Sequence, residues 1–258
     1  MTGRPAEHAS SETSGEPSGR VDSLVTVAAA LAGAGVLTVL QDPGPSTAAV
    51  SVASAAVIPA FAARSVLRRQ PPIITSADRV TLLRVALAGV LTSALILAFT
   101  EAMPSRTWTV LILASAAALL DAVDGWVARR AGTGTSAGAR FDAEADAAAL
   151  LVLSALLAMT VGWWVLLIGL MRYLFVAASF IRPRWRQSRS YSTFRRAVAA
   201  AQATVVVVGL APVVPVPLAA GLAGAALAAL LVSFGRDIHL LETANSPGGS
   251  DPGTGQQR

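Results

Sequence analysis

The chain has 258 residues, 54% hydrophobic and only 14% charged, with a mean hydropathy of +0.61. A soluble domain carries about 25% charged residues, so a water-soluble globular protein is excluded, and the absence of cysteine removes disulfides and thiolate chemistry. The net charge of +5 comes from twenty arginines without a lysine; these sit between apolar runs, which is a topology signal and not a nucleic-acid-binding face.

Residues 1–20 are rich in Ser, Gly, Pro and Glu and read as a disordered tail, as does the stretch 241–258. The mixed charge of the first tail, with more apolar segments beyond it, does not fit a cleaved signal peptide. Between the tails lie eight apolar segments, at 22–40, 46–63, 79–100, 107–128, 140–160, 162–181, 195–211 and 214–235. Crossing ~30 Å of hydrocarbon takes about 20 residues as a helix, and the segments lack the alternation of an outer-membrane barrel. The expected fold is an all-α integral membrane protein.

The loops alternate between arginine-rich and arginine-poor, which puts both termini and every arginine-rich loop in the cytoplasm. A bacterial plasma membrane is the expected location. The first two segments, joined by Asp42-Pro-Gly-Pro45, read as a membrane hairpin, fully or partly inserted, that with its basic linker occupies 21–70. Trp108, Trp163, Trp164 and Trp185 near segment ends read as interface anchors.

The fourth and fifth segments carry what the others lack. Five of the fifteen acidic residues fall in 121–146, as Asp121, Asp124, Asp142, Glu144 and Asp146. Carboxylates at membrane depth persist when paired, metal-bound or facing a polar cavity. Asp121 and Asp124 share one helix face, and Asp142 and Asp146 another. At about 1.5 Å per residue, Asp121 stands about 12 Å from the Arg129 end and Asp146 about 12 Å from the Gly138 end, so the pairs meet at matched depth. Four oxygen donors without His or Cys suit a hard cation, Mg²⁺ or Mn²⁺. Arg129 beside them is placed for phosphate, and Gly125 lets a ligand approach the backbone. The two histidines, His8 and His239, lie near the chain ends, so a histidine base is not expected.

Asp121-x2-Asp124-Gly125-x2-Ala128-Arg129-x8-Gly138-x3-Asp142-x3-Asp146 resembles the full signature of the CDP-alcohol phosphotransferases. The resemblance extends over about 73–237 and implies a six-helix core, here in a domain of 71–240, to which the hairpin is an addition. It implies transfer of a phosphoalcohol, here a phosphatidyl group, from a CDP-alcohol such as CDP-diacylglycerol to an acceptor alcohol, releasing CMP in phospholipid synthesis. It further implies that Asp121, Asp124, Asp142 and Asp146 hold two divalent ions, that Asp146 is also the base, and that Gly125, Arg129 and Thr135 bind the CDP moiety.

Ser76, Asp78 and Thr81, in Ser76-Ala-Asp-Arg-Val-Thr81-Leu-Leu-Arg84, read on their own as a helix start with a cap. In the family the corresponding segment contributes to the CDP-alcohol site. Outside the acidic cluster, Arg172 reads as the intramembrane charge, either paired with Glu144 or Asp146 or binding a phosphate-bearing acceptor. Arg195, Arg196 and Gln202 resemble a family pattern and line the same pocket, or else form a basic face toward anionic lipid. Glycerol 3-phosphate, inositol phosphate and serine are the acceptors in view, and the resemblance suggests a homodimer. A cation transporter and a non-catalytic scaffold are the alternatives; the first predicts acids continuing across the membrane, whereas these stop at its cytoplasmic half.

Overall fold

A computed structural model describes residues 18–68, 76–131, 136–181 and 193–243. These residues form α1 (Ser18–Gln41), α2 (Pro45–Ser54), α3 (Val57–Leu67), α4 (Ser76–Phe99), α5 (Trp108–Ala131), α6 (Ser136–Val161), α7 (Leu166–Ile181), α8 (Thr193–Gly209) and α9 (Val216–Thr243), with a 3₁₀ turn at Trp163–Val165. No strand occurs among them. In lipid every backbone N–H and C=O must find a partner within the chain, and runs of Ala, Leu and Val meet that demand as helices.

Every expected apolar segment falls on helix. Gly19–Gln41, Pro45–Leu67, Asp78–Phe99, Arg140–Val161 and Val216–Ser233 are long and apolar enough to cross a membrane, while Trp108–Val123, Trp163–Leu174 and Ala200–Gly209 are shorter apolar helices. The protein is an integral membrane protein. The expected tails lie outside the described residues except at their inner ends, where α1 starts at Ser18 and α9 runs to Thr243.

The second segment departs from the expected continuous helix by breaking at Ala55 and Ala56. Pro59 is the cause: it has no N–H for the Ala55 carbonyl, and its ring crowds that oxygen. The freed carbonyl faces α4, where Gly89 admits it; a Cβ at Gly89 would collide with that oxygen. One turn further along α4, Ser93 Oγ lies 2.6 Å from Ser51 Oγ of α2.

Helix α4 is the axis of the bundle and packs against α1, α2, α3, α5 and α6. Leu91 and Leu97 of α4, Val110 of α5, Leu156 and Leu157 of α6, Ile168 of α7, and Val206 and Leu210 of α8 are buried in one core. Lipid tails are as apolar as these side chains, so close fit drives the packing. Gly169 of α7 shows this: a Cβ there would lie 2.5 Å from the Leu151 Cα of α6.

At the bundle end opposite the acidic cluster, Trp108, Trp163 and Trp164 are exposed, as interface anchors should be. Arg106 lies there too, in a loop expected to be arginine-poor, and its role is structural. Its Nη2 donates to the Ala211 carbonyl at 2.6 Å and to the Val214 carbonyl, fastening the turn between α8 and α9. Arg106→Leu should therefore destabilise the protein by about 1–3 kcal/mol, the scale for hydrogen bonds to a charged group. Thermal unfolding in detergent reads the loss, and the chemistry at the opposite end should be untouched.

Candidate metal centre

The first two turns of α4 place Asp78, Thr81 and Arg84 at i, i+3 and i+6, and all three are buried. Arg84 is the residue that organises the site. Its Nη1 donates to Asp121 Oδ1 of α5 at 2.5 Å and its Nη2 donates to Asp142 Oδ1 of α6, while Nη2 also forms an ion pair with Asp146 Oδ1 at 3.0 Å. Thr81 Oγ1 donates to the same Asp142 oxygen at 3.5 Å. One guanidinium thus ties carboxylates from two helices to a third, a use that suits its planar fork of donors.

Each of Asp121, Asp142 and Asp146 offers one oxygen, and these lie within 4.8 Å of one another. Among the described residues in direct contact, three carboxylates face one guanidinium, an excess of two formal negative charges. At that spacing each carboxylate pair repels by roughly 3 kcal/mol at an effective dielectric near 20. The Arg84 side chain is only 3% exposed, whereas those of Asp121, Asp142 and Asp146 are 51%, 39% and 43% exposed. The cluster therefore has a sealed wall on the α4 side and an open face where a ligand can enter.

The residues present fit a divalent cation. All donors are hard oxygens, they converge, and their residual charge is the one that a divalent ion neutralises. Of the expected quartet, Asp121, Asp142 and Asp146 are brought together. Asp124 lies on α5, but its side chain is outside the described residues, as are those of Arg129 and Ser76; Gly125 lies on α5, and Thr135 is outside the described residues altogether.

The carboxylates of α5 and α6 come together as the spacing predicts. Among the described residues those helices touch little, and α4 packs against both, so Arg84 bridges them. Sequence reasoning places Arg84 only at the end of the Ser76–Arg84 segment and singles out Arg172 as the intramembrane charge outside the cluster. The available signal was position: Arg84 lies six residues into the segment 79–100, too deep for a simple interface anchor.

Arg172 takes the pairing partner Glu144, with Nη2 to Oε1 at 3.0 Å. Glu144 stands two residues from both Asp142 and Asp146, turned to another side of α6, and the Arg172 charge is still near enough to act on Asp146. Arg195 and Arg196 fall on α8 with side chains outside the described residues. Gln202 is buried, and its Nε2 has no hydrogen-bond partner among the described residues. Thr81, through its bond to Asp142, belongs to the wall of the site, and Asp78 is buried one turn before it.

A protein-family model described as CDP-alcohol phosphatidyltransferase matches residues 74–234, from just before α4 into α9. No curated protein and no solved structure matches the chain.

Proposed function

Since the chain belongs to the CDP-alcohol phosphatidyltransferase family, we propose that it transfers a phosphatidyl group from CDP-diacylglycerol, or a similar lipid CDP-alcohol, to a small acceptor alcohol in phospholipid synthesis. The family carries the broader reaction class, transfer of a phosphoalcohol from a CDP-alcohol. The observation that supports the finer reading is the convergence of Asp121, Asp142 and Asp146 within 4.8 Å on the matched core, open on one side.

In this reading the acceptor hydroxyl gives its proton to the Asp146 carboxylate. A bond forms from that oxygen to the lipid-bearing phosphorus, the bond from the phosphorus to the bridging oxygen breaks, and CMP leaves. Asp121, Asp124, Asp142 and Asp146 would hold Mg²⁺ or Mn²⁺, two ions in all. When bound, they neutralise charge on the pyrophosphate and the leaving CMP. Arg84 and Thr81 keep Asp142 and Asp146 aimed at one point from the protein side. Gly125, Arg129 and Thr135 are assigned to the CDP moiety, with Ser76 and Asp78 at the start of α4. The arginine-rich ends of the spans favour a cytoplasmic site, where CDP-lipid head groups are presented.

The test is direct. Purified protein with CDP-diacylglycerol, Mg²⁺ and a panel of glycerol 3-phosphate, inositol phosphate and serine should release CMP with one acceptor and form the matching lipid. A chelator should abolish the release. Release of no CMP with any acceptor, from a folded preparation, would refute the reading.

The acceptor side has its own test. The Arg172–Glu144 pair is 40% and 62% exposed, and such pairs contribute about 0–1 kcal/mol. Arg172→Ala should therefore fold normally, so its kinetics can be interpreted. If Arg172 binds an anionic acceptor, the variant should raise the KM for acceptor about tenfold or more, the loss of one charge-assisted contact, and leave the KM for CDP-diacylglycerol unchanged. An unchanged acceptor KM would remove Arg172 from the acceptor site.

A further inference from the structure

Helices α1 to α3 precede the matched stretch 74–234, yet α3 is seated against the two helices that carry Arg84, Asp142 and Asp146. Ala62 and Val66 of α3 are buried together with Leu82 and Val85 of α4 and with Phe141 and Ala145 of α6, as one apolar cluster apart from the main core. The register of this cluster is informative. Leu82 and Val85 flank Arg84, while Phe141 and Ala145 immediately precede Asp142 and Asp146. Each of those charged side chains thus has a chain neighbour held by α3.

Other contacts fix α1–α3 to α4 in the same register. Asp22 of α1 accepts from Arg79 Nε at 3.2 Å, one residue from the buried Asp78. The Ala55 carbonyl occupies the notch left by Gly89. An apolar helix on the rim of a membrane bundle gains nothing from excluding water, because lipid chains would cover the same surface. What α3 supplies and lipid does not is a fixed shape in the groove between α4 and α6. Ligand sets need their donors held to within about 0.5 Å, and fluid chains give no such constraint.

We propose that α3 is a positioning element of the metal centre: by filling the groove between α4 and α6 through Ala62 and Val66, it sets the spacing of Arg84, Asp142 and Asp146. This rests on the reading of those carboxylates as metal ligands. It adds a function for a segment outside the family core.

The full-length protein in nanodiscs, titrated with Mn²⁺ alone and followed by the electron paramagnetic resonance signal of free Mn²⁺, tests the proposal. Ala62→Phe drives a ring into the groove, and Val66→Ala empties part of it. Ser51→Ala cuts the tie to Ser93, nine residues and about 13 Å along α4 from Arg84. The α3 variants should weaken Mn²⁺ binding roughly 10–100-fold, the range for residues that support metal ligands from behind. Ser51→Ala should lower the thermal midpoint and leave Mn²⁺ affinity unchanged. If Ala62→Phe does not fold, Val66→Ala decides alone. Unchanged affinity in the folded α3 variants overturns the proposal, and so does equal weakening by Ser51→Ala, which would mean general loosening of the hairpin. Failure of the unmodified protein to bind Mn²⁺ would instead refute the metal reading itself and take this proposal with it.

Discussion

Asp146→Asn should cut CMP release by about 10³-fold or more, since a positioned general base contributes about 10²–10⁴-fold and Asp146 is also assigned to the metals. The same substitution should not destabilise the protein. Asparagine matches aspartate in shape, and Arg84 keeps its hydrogen bonds to Asp121 and Asp142. It also removes one of three negative charges crowded within 4.8 Å, relieving repulsion of roughly 3 kcal/mol per pair at an effective dielectric near 20. Activity and thermal midpoint, measured on one preparation in the absence of metal for the second, should move in opposite directions. That divergence marks a site where stability is given up for function. Unchanged turnover would remove Asp146 from the chemistry, and a fall in midpoint matching the loss of turnover would make the residue merely structural.

The carboxylate site was legible in the sequence because its residues are chemically out of place. Asp121, Asp142 and Asp146 stand in apolar surroundings at helical spacing, and no soluble surface accounts for them. Arg84 was harder to read for a related reason: what makes it central is the identity of its partners, which come from α5 and α6, 37 and 58 residues away for Asp121 and Asp142. No local pattern around Arg84 encodes those contacts. The apolar segments were legible as helices, since hydropathy and length suffice in lipid. How they pack was not. In water a helix shows its buried face by polarity, but Ala62 and Val66 of α3, which face protein, look the same in sequence as Val57 and Phe61, which are exposed. Only small-residue notches such as Gly89 and Gly169 record the packing, and they do so without naming the partner. The break at Ala55 had a visible cause in Pro59, yet an apolar run of suitable length reads as one span until the carbonyl at Ala55 is followed to α4.

Arg84→Met is the second substitution expected to have a large effect, and its signature is a stability that comes to depend on metal. Methionine keeps the side chain's length and apolar stem but leaves three carboxylates facing one another without the guanidinium. Removing one partner of a buried ion pair costs about 3–5 kcal/mol. Here the acids are about half exposed and water screens them, so about 2 kcal/mol is the reasonable expectation. The loss should appear in chelator as a lowered unfolding midpoint, and Mn²⁺ should restore more stability to the variant than to the unmodified protein, because the cation then takes over the charge that Arg84 supplied in contact with all three carboxylates. Arg84→Lys should fall between the two: one ammonium keeps the charge but cannot span Asp121 on α5 and both aspartates on α6 as the fork does. Equal midpoints for the three proteins in chelator would show that the bridge contributes nothing to holding α5 and α6 together. A metal response in Arg84→Met no larger than that of the unmodified protein would separate Arg84 from the charge balance of the site, leaving it a packing residue of α4.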